Sequence, residues 1–432
     1  MTFTNQGHSF EAYFTIDLKF RILYYFDYRY DILIIGMLEG LKLTLGVILV
    51  KSLKLSIAHF SDRTDAVREE IRSFIRQEKE NGTFEPKCDS WLSGYSPEFS
   101  RKLASRGWIG MTWPKRYGGQ ERSAIDRYVI TEELLAAGSP VAAHWIADRQ
   151  TGPLLLRYGT EQQKEYFLPK IAKGESYFAI GLSEPNAGSD LAAVSLKATK
   201  VDNGWILNGS KIWTSGAHFA HYMITLCRTS PLNPENRHEG MSQLITDLSA
   251  PGITIRPILL MTGEHHFNEV LFEDVFVPVN MLVGQEGNGW KQGMAELAYE
   301  RSGPERFLST FPLLEELVNT IRLKGDVYLM SQVSSIASNL WTLRNMSMGI
   351  AQMLEENKTP DLAAALVKDL GTQLETQVAE LARLLVSSEN MTVSDQFEKL
   401  KLEALLHSPG FTLRGGTTEI LRMIVSKGVI GK

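Results

Sequence analysis

Cysteine is nearly missing from this 432-residue chain: Cys88 and Cys227 are the whole complement. Two thiols exclude a disulfide scaffold and a multi-cysteine zinc module. An excess of basic charge is missing too. Lys and Arg number 45 against 50 Asp and Glu, for a formal net charge of -5 and a pI near 6.1. That balance excludes a generally basic nucleic-acid-binding protein. With 16 Pro and 35 Gly, the chain has too few of either for a collagen-like or wholly disordered protein. The remainder, 44% hydrophobic and 22% charged, is ordinary globular composition. At roughly 150 residues per domain, the length suggests about three domains.

The first 60 residues do not share that composition. Ten of residues 1–30 are aromatic, against 9% for the whole chain. Residues 32–50 (ILIIGMLEGLKLTLGVILV) follow as an apolar run close to the length of a membrane span. Glu39 and Lys42 sit near its centre. Each charge there costs about 2.5–3.5 kcal/mol, and each large aliphatic returns only about 0.3–0.6. Asp17, Asp27 and Asp31 disfavour a secretory signal, and acids disfavour a mitochondrial transit peptide. Three readings stay open for residues 1–61: an upstream start codon wrongly chosen, a membrane-surface extension, or a true span. Any membrane association is expected only through residues 1–60.

From residue 62 the chain is regular. DRTDAVREEIRSFIRQEKENG places Val67, Ile71, Phe74 and Ile75 at helical spacing, and Pro97-Glu98-Phe99 begins a second helix. Residues 62–176 read as an N-terminal all-helical domain. Residues 177–285 read as a middle β domain. LKATKV and WILNGS flank Asp202-Asn203-Gly204 as a hairpin, and HYMITLCRT, MSQLITDL, ITIRPI and EVLFEDVFV follow as short strands. Their even spacing predicts an antiparallel barrel or sandwich. Residues 286–432 read as a C-terminal helical bundle, in which Leu366, Leu370, Leu374, Val378, Leu381 and Leu385 form a core-facing stripe. Thr359-Pro360-Asp361 looks like the capped start of that helix. The fold class is α+β, in helical, β, helical order.

Most chemical motifs fail. Gly204-x4-Gly209-Ser210-Lys211 has the Lys and Ser in the wrong order for a phosphate loop. His218, His221, His265 and His266 come without a carboxylate or cysteine at ligand spacing, so no metal is expected. A serine nucleophile elbow is absent. Two stretches survive. In Ser183-Glu184-Pro185-Asn186-Ala187-Gly188-Ser189-Asp190, small residues allow close backbone approach and amides suited to an anion. In Lys211-Ile212-Trp213-Thr214-Ser215-Gly216, a Trp followed by hydroxyls can lay an aromatic face beside a planar ring and offer a donor at its edge. Taken singly, the first reads as an ordinary turn and the second as a strand end.

Together, at this spacing, the two closely resemble the acyl-CoA dehydrogenase flavoprotein family, whose patterns are [TS]-E-P-x-A-G-S-D and K-x-W-[IT]-[TS]-[NG]-[GA]. Arg414-Gly415-Gly416-Thr417-Thr418-Glu419-Ile420-Leu421 matches the family's E-G-T-x-x-[IV] stretch with one change. The resemblance covers residues 62–432. It implies an enzyme that binds FAD between the β domain and the C-terminal bundle and converts an acyl-CoA thioester to a trans-2-enoyl-CoA. By the motif match, Leu182 and Ser183 would contact the flavin edge. Ser189 would lie near the pyrophosphate and the thioester, and Gly188 would also be among the cofactor-binding residues. Trp213 would pack on the isoalloxazine, Thr214 would support the strand, and Ser215 would face flavin N5. Thr417 and Glu419 would approach the adenosine half.

The change falls at Gly415, where the family usually carries its catalytic Glu. Glycine cannot be a base, but its N–H survives as an oxyanion donor. Glu300, on the helix after GQEGNG, matches the base position of isovaleryl-CoA-dehydrogenase-like members. Arg301 would support base and substrate, and the adjacent Glu305-Arg306 reads as a surface pair. Residues 322–350 do not clearly show the family's Arg-Gln…Phe-Gly stretch that reaches a neighbouring subunit's FAD; Arg344 is the candidate substitute. The resemblance further implies an electron-transfer flavoprotein as acceptor, a homo- or hetero-oligomer such as a tetramer, and a cytoplasmic, bacterial-type location. A mitochondrial matrix location stays open. The rival readings are a non-catalytic partner subunit of a heteromeric enzyme and a flavin monooxygenase on the same fold.

Overall fold

The structure is a computed structural model. It describes residue 55 and residues 62–432 apart from 302, 325–326, 357, 388–392 and 431–432, with side chains omitted at 62–63, 296–300, 323–324, 386–387 and 430. The aromatic and apolar extension, residues 1–60 save Leu55, lies outside the described residues, as does the side chain of Glu300.

Helices come first. They are α1 (Asp62–Glu80), α2 (Ser90–Ser93), α3 (Pro97–Ser105), α4 (Ala124–Ala136), α5 (Ala142–Ile146), α6 (Gly152–Tyr158) and α7 (Glu161–Ala172). Their starts follow local chemistry. Ser96 Oγ accepts from Phe99 N with Pro97 at the first turn, and Thr160 and Gln163 form a reciprocal capping box. Val67, Ile71, Phe74 and Ile75 are buried, as their spacing predicts.

Eight strands follow: β1 (Phe178–Gly181), β2 (Lys197–Val201), β3 (Gly204–Ser215), β4 (Tyr222–Arg228), β5 (Met241–Asp247), β6 (Ile253–Leu259), β7 (His265–Pro278) and β8 (Leu282–Val283). The order is β6-β7-β3-β2-β4-β5-β8, with β1 beside β4. The β2–β3 hairpin forms as expected, closing at Val201↔Gly204, and Asn203 takes the left-handed φ of 62° that its turn needs. The sheet is not wholly antiparallel. β1 pairs with β4 in parallel register, Phe178↔Tyr222 to Gly181↔Thr225, and β2 meets β4 in parallel at Lys197↔Arg228. A hairpin cannot join parallel strands; the chain between β1 and β4 makes the crossover through β2 and β3.

Helices then return as α8 (Gly289–Glu300), α9 (Phe311–Lys324), α10 (Val327–Glu355), α11 (Asp361–Ser387), α12 (Asp395–Phe411) and α13 (Thr418–Ile430). No described helix is long and apolar enough to cross a membrane. In α11 the expected stripe is buried at Leu374, Val378 and Leu385, but Leu370 is 40% exposed. Near the start of α11 the buried face turns toward Ala363, Ala364, Val367 and Lys368 instead. There Gly371 lies so close to Arg306 O that a Cβ would fall 2.2 Å from it.

The two helical regions are joined by buried charge. Glu132 on α4 accepts from Arg68 of α1 (2.8 Å) and from Arg344 of α10 (2.6 Å). Arg344 is therefore an internal strut. Its head is buried in the same subunit, which removes it as the substitute for a cross-subunit cofactor contact. The Glu305-Arg306 pair is likewise not at the surface. Both residues are 2% exposed, and Glu305 Oε1 accepts from Arg149 at 3.0 Å.

Removing one partner of such a pair leaves a buried charge uncompensated, at a cost of about 3–5 kcal/mol. Glu132→Gln should therefore lower the urea midpoint and the melting temperature clearly, whereas an unchanged midpoint would show that Arg68 and Arg344 are satisfied without it.

Candidate active site

Two of the signature stretches meet through a buried ion pair. Lys211, fully buried on β3, donates to Glu184 Oε1 at 2.8 Å and to Leu182 O at 3.0 Å. The other face of the Glu184 carboxylate accepts from Ser195 N, Ser195 Oγ and, through Oε1, Leu196 N, at 2.7–2.9 Å. Burial pushes the Glu184 carboxyl up, but Lys211 and the hydrogen bonds outweigh it and hold the group below its ordinary range. Ile212 N also donates to Ser183 O. The loop carrying Leu182, Ser183, Gly188 and Ser189 is thus fixed to the strand carrying Trp213, Thr214 and Ser215.

That strand is bulged. Its pairing with β7 shifts register between Lys211 and Thr214, and Trp213 sits at φ 58°, a strained angle for a bulky residue. The bulge turns the indole outward. It is 55% exposed, with one edge contact to Phe267 at 6.0 Å. Thr214 is 1% exposed and its Oγ1 has no hydrogen-bond partner among the described residues, while its carbonyl accepts from Asn268 Nδ2 at 2.9 Å. Ser215 is half-buried. A Cβ added at the exposed Gly188 would meet nothing within 4 Å. A protruding indole, an orphan hydroxyl and an open glycine-bearing loop fit a planar cofactor that carries a diphosphate.

The third stretch lies at the junction of α12 and α13. Gly415 and Gly416 take φ of 66° and 97°, angles open to glycine and costly for most residues. Thr417 Oγ1 then receives Ile420 N at 3.4 Å, which makes Thr417 the start of α13, with Glu419 exposed in its first turn. Arg301, just past the end of α8, donates from Nε to Gly415 O at 3.1 Å. The backbone of Glu300 therefore ends one residue away from an anchor on Gly415.

Sequence spacing did not reveal what holds these stretches in one place. Arg414 forms a two-pronged ion pair with the fully buried Asp89, one bond measuring 2.7 Å, across 325 residues of sequence. Burial pushes the Asp89 carboxyl up, and the Arg414 guanidinium more than reverses that. His407 Nδ1 lies 3.6 Å from the same carboxylate, and its Nε2 lies 3.4 Å from Glu264 Oε2. Glu264 in turn bonds His266 Nε2 (3.0 Å) and Lys87 Nζ (3.2 Å). His266 O accepts from Gly216 N, directly after Ser215. The chain of contacts runs from the Gly415 turn to the end of the Trp213 strand. Contrary to the sequence expectation, His266 has a carboxylate beside it: Glu264 lies two residues earlier, and His407, far along the chain, completes a group whose ligating atoms all lie within 4.8 Å of one another. His265 is separate, stacked on His218 at 3.9 Å.

A cavity of about 400 Å³ opens beside Ser189. Asp190, Arg237, His238 and Trp290 line it. His238 stacks on Trp290 at 4.0 Å, and Arg237 pairs with Asp190 at 2.6 Å. Ser189 and Asp190 in this wall belong to the stretch legible in the sequence; the loop 231–240 carries no motif.

Two outcomes follow from this geometry. Glu184→Gln should strip Lys211 of its buried counter-charge and lower the melting temperature, with a cost of about 3–5 kcal/mol; a melting curve equal to the parent's would count against the pair. Burial raises the Glu375 carboxyl to about 7, against the opposing Arg414 charge; its Oε1 accepts from Ser309 N at 2.8 Å, and its Oε2 has no hydrogen-bond partner among the described residues. A carboxyl raised in the fold favours the folded state below its unfolded value of 4.5 and loses that contribution as pH rises through 7. Glu375→Gln should abolish a pH-dependent loss of at most about 3 kcal/mol between pH 5 and 8, seen as a flatter plot of melting temperature against pH.

The comparisons agree with the geometry. Residues 61–175, 179–275 and 323–430 match the N-terminal, middle and C-terminal domains of acyl-CoA dehydrogenase. The acyl-CoA dehydrogenase IpdE1 of Mycobacterium tuberculosis is 32% identical over 346 residues, covering 77% of this chain and 87% of its own. The mitochondrial isovaleryl-CoA dehydrogenase of Pongo abelii is 29% identical over 344 residues, covering 76% and 80%. Among solved structures, the Tcur3481-Tcur3483 steroid ACAD superposes with a TM-score of 0.75 at 29% identity, covering 87% of this chain and 98% of that one. The domains, the relatives and the fitted cradle together show that this chain belongs to the acyl-CoA dehydrogenase family of FAD-dependent oxidoreductases.

Proposed function

We propose that the chain removes the α-proton of an acyl-CoA thioester with Glu300 and yields a trans-2-enoyl-CoA. The observation that carries this reading is the Arg301–Gly415 contact. It ties the residue after α8 to the position where the family's usual carboxylate is replaced by glycine, which supports Glu300, the last residue of α8, as the base. A carboxylate suits the α-proton once desolvation raises its pKa. FAD, when bound, would supply the hydride acceptor for the β-hydrogen.

The other residues hold. Trp213 offers its exposed face to the ring system, Ser215 its hydroxyl to the ring edge, and Leu182 and Ser183 the backbone of the tied loop. Gly188 and Ser189 leave room for the pyrophosphate, and Thr417 and Glu419 for the adenosine half. The cavity beside Ser189, with the His238–Trp290 stack at its wall, takes the CoA portion, and Gly415 N–H faces the thioester oxygen. A base on this helix suits branched or bulky acyl groups by family analogy, and the name of the steroid-enzyme neighbour extends that to ring-bearing ones. Electrons pass to an electron-transfer flavoprotein, in a cytoplasmic oligomer.

A second reading has this chain paired with a different subunit. It is favoured by the two-component name of the steroid enzyme, and a stable, yellow, active homo-oligomer would exclude it. The base is tested directly. Glu300→Gln should keep FAD bound while abolishing substrate bleaching of the flavin across a panel of acyl-CoAs, and retained bleaching would refute the assignment.

A further inference from the structure

Two glycines in succession are a poor way to aim a hydrogen-bond donor. Each has more backbone freedom to lose than any other residue, and both φ angles here lie in the left-handed region. The turn is nevertheless held from three sides. Upstream, the Arg414 side chain is locked on Asp89. In the middle, Arg301 Nε holds Gly415 O. Downstream, Lys368 reaches in from α11. It is fully buried, and its Nζ donates to Gly416 O at 2.9 Å and to Phe411 O at 3.3 Å. A Cβ on Gly416 would lie a tight 3.2 Å from the Arg301 guanidinium, and the φ of 97° there is costly for any side chain.

We propose that Lys368 is a positioning residue for the reaction: by pinning Gly416 O beside the Arg301 clamp on Gly415 O, it fixes the diglycine turn so that Gly415 N–H donates to the thioester oxygen. This rests on the reading above that the thioester lies at Gly415. The physical case has two parts. The two clamps hold the successive peptide planes on either side of the Gly416 Cα, which removes the rotation of the turn on the C-terminal side of Gly415. On the N-terminal side the Arg414 side chain is locked on Asp89, so the Arg414–Gly415 peptide that carries Gly415 N–H is caught between fixed neighbours. In relatives with a Glu here, a side chain restricts this backbone; with glycine, packing and clamps must do so alone.

The test uses the FAD-loaded protein and acetoacetyl-CoA, a thioester already at the oxidised level whose C2 proton is lost to solvent. Its enolate carries charge on the thioester oxygen and absorbs in the near ultraviolet. The bound enolate is titrated against pH in the parent, in Glu300→Gln and in Lys368→Met. The parent and Glu300→Gln should both bind acetoacetyl-CoA with an enolisation midpoint well below that of the free thioester. Lys368→Met should move the midpoint up by about one pH unit or more, a tenfold loss in enolisation, with a much smaller change in the dissociation constant. Lys368→Arg, which keeps the cation, should recover most of the shift. If Lys368→Met does not fold, Lys368→Gln, which keeps a donor without the charge, takes its place. An unchanged midpoint in a folded, charge-removed variant would overturn the positioning role alone. No lowering in the parent would overturn the placement of the thioester at Gly415 as well, and the role of Lys368 with it.

Discussion

The buried pair of Glu184 and Lys211 is the constraint on which the rest of the site depends. Neither side chain could be left alone in that interior, since an uncompensated ion there costs several kcal/mol. Each therefore dictates where the other must be. Because Glu184 belongs to the loop after β1 and Lys211 to β3, their contact makes one rigid unit of two stretches that are 27 residues apart. The remaining Glu184 bonds, to Ser195 and Leu196, tie in the start of β2 as well. Only with that unit fixed does the bulge at Trp213 become useful. The strain of a left-handed tryptophan is tolerated because the strand on either side cannot relax.

A second buried network performs the same service for the C-terminal part. Asp89, Arg414, His407, Glu264 and His266 come from the loop before α2, from α12 and the turn after it, and from the loop entering β7 and β7 itself. Each carboxylate faces a cation: Asp89 faces Arg414, and Glu264 faces Lys87. Both anions are thereby compensated, and the position of the diglycine turn is coupled to the strand that ends in Ser215. The enzyme's two halves are registered to each other by charge pairs that none of them could satisfy locally. That is also why the turn can afford two glycines. Precision lost from the backbone is recovered from what grips it.

Much of this was legible in the sequence. The helical, β, helical order follows from a change of hydrophobic period near residue 177 and again after Gly289, and period is a local property. The β2–β3 hairpin follows from Asp202-Asn203-Gly204, because few residues accept the left-handed angle at Asn203. The signature stretches at 183–190, 211–216 and 414–421 identify the family. The vacancy at Gly415, with a carboxylate at Glu300, was visible as a departure from pattern. By contrast, the parallel pairing of β1 with β4 could not be read from even strand spacing, which describes lengths and not neighbours.

What the sequence by itself determined, then, is the kind of chain this is: its order of elements, its family and the residue types available at the site. Burial and long-range pairing were decided only in three dimensions. Arg344 looked available for a distant contact and is spent on Glu132; Glu305 and Arg306 looked like solvated surface and are interior; Leu370 looked like core and is exposed. The physical reason is the same in each case. A charged side chain is placed by the counter-charge it finds when the fold closes, and an apolar one by the surface that happens to cover it. For Asp89 and Arg414 that partner lay 325 residues away, beyond the reach of any local pattern.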